Sequence, residues 1–192
     1  NQPLLQSAEE LQYLPIGGTA IGTGLNSPKN FSKSVCAELN KIYKKTGAKF
    51  ISNPNKAEMI SSQNHILTMS ASLQRTASCL TKISNDLRWM NSGPISGLSE
   101  KSLKPLQPGS SIMPGKVNPV IPEAVAMVSA DVIGNDASIS VAAQSGNFQL
   151  NVMLPVIAYN LLKSINLLAG SMSVLSKKAI KSFKINHNSL NE

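Results

Sequence analysis

The densest chemistry in the sequence lies in one segment, Gly109-Ser110-Ser111-Ile112-Met113-Pro114-Gly115-Lys116-Val117-Asn118-Pro119. Ser110 and Ser111 supply adjacent hydroxyls, Lys116 a fixed positive charge, and Asn118 an amide that donates and accepts hydrogen bonds. Gly109 and Gly115 permit unusual backbone angles and close approach to a ligand. Pro114 and Pro119 stiffen the segment. A helix is predicted directly after Pro119, with Glu123 in its first turn. The positive end of that helix and its loose N–H groups favour an anion. These residue types suit a mobile loop that grips a carboxylate or a phosphate. Composition alone favours a plain Ser/Gly/Pro connector with an exposed lysine.

The elements around this loop read as helices. Leu4 to Leu14 is the end of one, stopped by Pro15, and Gly17 to Gly24 forms a tight turn that matches no nucleotide-binding pattern. Ser27-Pro28 starts a second helix that ends at Gly47. A long helix after Asn53-Pro54 carries the seam Ile66, Met69, Leu73, Leu80, Ile83, Leu87 and Met90, with Thr76 at its one polar step. That spacing is the heptad of a helix packed lengthwise in a bundle. Gly93-Pro94 closes it, and the stretch from Ser92 to Pro119 is an unusually long connector, a common place for function. Pro122 opens the next helix, with Val125, Val128, Val132 and Ile139 on one side. The last long helix runs from Leu150 to Ala179 on Leu150, Leu154, Ile157, Leu161, Ile165, Leu168, Met172 and Leu175, with a kink expected at Pro155. No strand is predicted. The expected fold is an all-α elongated bundle. Its two longest seams, each about 35–40 Å at 1.5 Å per residue, exceed what one narrow bundle covers, so helices are expected to pack between subunits.

Composition narrows the function classes. The 192 residues are 42% hydrophobic and only 4% aromatic, which suits an aliphatic helical core over a β-sandwich. The net charge of +8 is spread over scattered lysines without interleaved aromatic rings, so solvated faces are favoured and no nucleic-acid partner is expected. No apolar run is read as a membrane span, and no membrane partner is expected. Cys36 and Cys79 fit no metal spacing and read as reduced thiols, which points to a reducing compartment. The chain opens on Asn1 without Met and is expected to be part of a longer protein.

The loop Gly109 to Pro119 resembles the signature loop of the fumarase/aspartase lyases, a superfamily that also holds argininosuccinate and adenylosuccinate lyases. The resemblance extends from about Leu11 to Asn186. It includes Leu14 to Asn26, Pro54-Asn55-Lys56, Asn85 to Trp89, Ser92-Gly93-Pro94, Gly134-Asn135-Asp136 and Gly146 to Val152. Within the family, Gly115, Pro54-Asn55-Lys56 and Arg88-Trp89 are closer to class II fumarases, whereas Gln149 to Met153 leans towards aspartase. The resemblance implies a bundle of the fumarase/aspartase type, with residues 1–182 as the central helical domain and 183–192 as the start of a C-terminal domain.

The resemblance further implies a cofactor-free, metal-free fumarate hydratase that interconverts fumarate and L-malate, an enzyme of the tricarboxylic acid cycle. It would be a homotetramer in the cytoplasm, or in the mitochondrial matrix of a eukaryote. Ser110 matches the base that takes a proton from the carbon beside one carboxylate, giving an aci-carboxylate. Glu123 matches a carboxylate that orients the acid-side histidine, and Ser111, Lys116, Val117 and Asn118 match substrate contacts. The family's Gly-Arg-Thr-His motif is absent from this chain: His65 and His187 lie outside any such motif, and neither is expected to be catalytic. Active sites in this family draw on three subunits, so the chain is expected to supply one wall and to be inactive alone. The alternatives are an aspartate ammonia-lyase and a helical scaffold without catalysis.

Overall fold

The buried stripe of the longest helix sets the architecture. In this computed structural model, which describes residues 2–190, that helix (α4, Asn64–Met90) buries Met69, Leu73, Thr76, Ala77, Leu80, Ser84 and Leu87. The predicted seam is buried at Met69, Leu73, Thr76, Leu80 and Leu87 but slips between the last two: Ser84 is inside and Ile83 is 42% exposed. A helix of 3.6 residues per turn slips against a 3.5-residue repeat, so a straight helix cannot keep every heptad position on one face. Two further long helices, α5 (Val120–Ala143) and α6 (Leu154–Leu175), bury Val125, Val132 and Ile139, and Ile157, Leu161, Leu168 and Leu175. The fold is all-α, as expected, with shorter helices α1 (Gln2–Glu10), α2 (Phe31–Ile42), α3 (Lys56–Ser61) and α7 (His187–Leu190).

The chain divides into two compact units. One comprises the chain up to Leu73 with Asn135–Leu162, the other Gln74–Gly134 with the chain from Lys163 onward. In the first, two short strands absent from the sequence reading, β1 (Tyr13–Leu14) and β2 (Ile51–Ser52), pair in parallel. Leu14 therefore belongs to β1, and α1 ends at Glu10. Asn40 of α2 holds the backbone just before β2, accepting from Phe50 N at 2.7 Å and donating to Phe50 O at 3.0 Å. The glycine-rich segment is a single turn of 3₁₀ helix (Ala20–Gly22) packed against α3. Ser70 of α4 donates to the Asp136 carboxylate of α5, a charge-assisted bond between the two helices.

The helix predicted to run unbroken from Asn53-Pro54 is in fact interrupted at Gln63, whose φ is 57°. The buried Gln63 amide donates to Met59 O and Ile60 O at 2.9 and 3.3 Å, and Asn151 N donates to Ile60 O at 3.2 Å. The carbonyls that would have continued the helix are thus taken by other partners. Asn151 itself is 1% exposed. Its amide donates to Ala142 O and Ala143 O at 3.0 Å each, closing α5, and its Oδ1 accepts from Met153 N at 2.8 Å just before α6. Pro155 is the second residue of α6, where its missing N–H costs nothing, so it starts the helix and does not kink it. Asn151→Ala should leave these buried groups unpaired and cost about 3 kcal/mol, read as a lower midpoint in denaturant with an unchanged slope. A midpoint equal to the parent's would show that the groups find other partners.

In the second unit the long connector is pinned by asparagines. Asn91 accepts from Leu103 N at 2.7 Å, and Asn186 donates through its side chain to Ser99 O at 3.0 Å and through its backbone to Glu100 O at 2.9 Å. Strand β3 (Lys101–Ser102) pairs antiparallel with β4 (Lys184–Ile185). Lys163 of α6 pairs with Asp131 of α5 at 2.8 Å. By length and composition α5 is apolar enough to cross a membrane, which the sequence reading did not register. It also buries Ser129 and Asn135 and carries the paired Asp131 and bonded Asp136, the pattern of a helix packed among other helices.

Candidate active-site loop

The loop closes on itself at Gly109. Gly109 N donates to Lys116 O at 2.7 Å, and Asn118 Nδ2 donates back to Gly109 O at 3.4 Å. A Cβ on Gly109 would sit 2.9 Å from Lys116 O and 3.0 Å from Asn118 Oδ1, so the closure requires glycine. Within the ring, Lys116 N donates to Met113 O at 3.3 Å, and Gly115 has φ 75°. Met113-Pro114-Gly115-Lys116 is therefore a type II turn, with Pro and Gly where that turn needs a fixed and a positive φ.

Ser110 is held by the backbone that leads into this turn. The Ser110 hydroxyl accepts from Ile112 N and Met113 N, each at 3.2 Å. Two N–H dipoles aimed at one oxygen favour negative charge on it, which a serine needs if it is to take a proton. Ser110 is half-buried, whereas Ser111, Val117 and Lys116 are exposed. Asn118 is half-buried at the foot of the loop.

Val120 N and Glu123 N at the start of α5 are turned back to the Asn118 and Pro119 carbonyls, at 2.9 and 3.2 Å, and Pro122 has no N–H. Of the first four residues, Ile121 alone can offer an N–H to an anion, fewer than the sequence suggested. The half-buried Glu123 and the exposed Val117 line a cleft of about 410 Å³ with Asn85, Arg88, Trp89 and Asn91 from the end of α4 and just beyond. Ser110, Ser111 and Lys116 lie outside that cleft, and Asn118 lines a separate shallow groove with Lys104 and Lys178. No role was read from the sequence for Arg88, Lys104 or Lys178. Arg88 stood in a recognised stretch, but only the folded chain puts it beside Glu123's cleft.

His65 is half-buried beside Leu11, Tyr13 and Ile66, and His187 is exposed at the start of α7. Cys36 and Cys79 are both free thiols. Among the described residues no group of three His, Cys, Asp or Glu side chains is placed to hold a metal ion.

Residues 1–134 match the family model described as "Lyase", and the chain belongs to that family. Its relatives include fumarate hydratase class II 2 of Pseudomonas aeruginosa, 56% identical over 182 residues, which cover 95% of this chain and 39% of the relative. Fumarate hydratase class II of Xylella fastidiosa is 49% identical over 189 residues, 98% of this chain and 39% of the relative. The crystal structure of recombinant class II fumarase from Schistosoma mansoni superposes with a TM-score of 0.96 at 34% identity, covering 99% of this chain and 42% of that one. The resemblance to class II fumarases read from the loop is thus borne out. The chain spans about two fifths of the length of these relatives.

Proposed function

We propose that this chain is the central part of a fumarate hydratase, in which residues 1–182 form the helical domain and 183–192 begin the next. The observation that carries the reading is the Ser110 hydroxyl held by two N–H groups inside a loop closed by Gly109. Ser110, as the alkoxide, takes the proton from the carbon of L-malate next to a carboxylate and becomes the neutral hydroxyl. That carboxylate becomes the aci-carboxylate, with Lys116, Ser111, Asn118 and the Val117 backbone around it to hold its growing charge. An acid supplied by another subunit protonates the departing hydroxyl, so that fumarate and water leave, and Glu123 orients that acid from the 410 Å³ cleft. The reverse sequence hydrates fumarate.

The assembly proposed is a homotetramer. Ile83, Met127, Ile133, Val141, Tyr159 and Leu162 of the three long helices are exposed in the single chain. Apolar side chains along three helices are what packing between subunits would cover. The free thiols are in keeping with a reducing compartment, and we place the enzyme in the cytoplasm, or the mitochondrial matrix in a eukaryote.

The test uses the full-length protein. Incubated with fumarate, it should form L-malate in step with the fall in fumarate absorbance, without ammonia, and should sediment as a tetramer. Fumarate loss that requires ammonia would make it an aspartase. Loss of neither kind would leave a scaffold.

A further inference from the structure

Two lysine-bearing stretches, distant in sequence, each bring one lysine to the foot of the site loop. Lys101 and Lys104 come from β3 and the connector, and Lys177, Lys178, Lys181 and Lys184 come from the π-helical turn after α6 and from β4. The β3–β4 pairing brings the stretches together, setting Lys101 opposite Ile185 and Ser102 opposite Lys184. Lys104 and Lys178 line one groove with Asn118, Pro119 and Val120, the end of the loop and the start of α5. Both are exposed. Among the described residues the ion pairs are Lys41–Glu38, Lys82–Asp86 and Lys163–Asp131, so none of these six lysines is in direct contact with a carboxylate. Lys101 alone has a cation–π partner, with its Nζ 4.6 Å from the centre of the Phe183 ring.

We propose that Lys104 and Lys178 collect the dianionic substrate electrostatically at the Asn118 end of the loop; this rests on the function proposed above. The groove encloses only about 10 Å³, too little for a second ligand, so the two charges act at range and not by contact. Unpaired charges of one sign raise the local concentration of an oppositely charged ligand, and salt screens the effect. Taking as the working separation about one Debye length at 0.1 M, ~10 Å, two unit charges attract a dianion in water with about a sevenfold gain at 10 mM ionic strength and about twofold at 0.15 M. The gain appears in KM, because the lysines favour bound substrate and transition state alike.

The experiment compares the full-length protein with its K104Q/K178Q variant over a range of ionic strength. Expected is a KM for fumarate raised about sevenfold at 10 mM salt, converging on the parent at high salt, with kcat unchanged. A K104R/K178R variant, which keeps the charges, should retain the parent KM. Equal KM values at low salt, a gap that does not close with salt, or a lower kcat in the Gln variant would each overturn the proposal. A parent that turns over fumarate while the Gln variant matches it defeats this inference alone. A parent with no turnover defeats the functional reading beneath it.

Discussion

Ser110→Ala in the full-length protein should lower kcat roughly a thousandfold for fumarate hydration, with KM little changed and unfolding within about 0.5 kcal/mol of the parent. The first half of that expectation follows from the hydroxyl's setting. A serine is a weak base, and what makes this one usable is the pair of N–H groups from Ile112 and Met113 that would meet an alkoxide at Ser110 Oγ. The second half follows from where the bonds lie. The loop is closed through Gly109, Lys116 and Asn118 and by the turn at Gly115, none of which needs the Ser110 side chain. Loss of the hydroxyl removes two local bonds on a half-exposed loop and buries nothing. Undiminished kcat in the Ser110→Ala protein would remove the base assignment. A thousandfold loss accompanied by a large fall in stability would make the residue a structural one.

The parts of the fold that repeat were legible in the sequence, and the parts set by single distant contacts were not. The heptad of α4 and the apolar positions of α5 and α6 announce packed helices, because burial along a helix writes a period into the sequence. The site loop was legible for a different reason. Its turn chemistry is local: Pro114 and Gly115 define a type II turn without help from elsewhere. The break at Gln63 leaves no such mark. It depends on Asn151 N reaching Ile60 O across about ninety positions of sequence, and no window around Gln63 contains that donor. Pro155 misled for a related reason. Its effect depends on where α6 begins, and Asn151 decides that by accepting from Met153 N and closing α5 with its other end. The strands β1 to β4 span two residues each, too few for alternation to register. Likewise, the groove with Lys104 and Lys178 joins stretches far apart in sequence, so no local window shows it.

The complementary experiment keeps the chemistry and disturbs only the shape. Gly109→Ala leaves Ser110, Ser111, Lys116 and Asn118 in place, yet kcat/KM should fall roughly a hundredfold. The new methyl would lie 2.9 Å from Lys116 O and 3.0 Å from both Lys116 C and Asn118 Oδ1. Two of those three atoms are backbone and cannot rotate away. The bond from Gly109 N to Lys116 O must therefore open, and Ser110, the next residue, moves with it relative to Lys116 and Asn118. Gly115→Ala is the control. Its φ of 75° makes alanine strained by about 1 kcal/mol, but nothing lies within 4 Å of the added carbon. That variant should keep most of the parent rate. If Gly109→Ala behaves like Gly115→Ala, the ring closure is not what positions Ser110. If it loses the expected hundredfold, combining it with Ser110→Ala should cost little more than Ser110→Ala alone, because a misplaced base and a missing base fail at the same step.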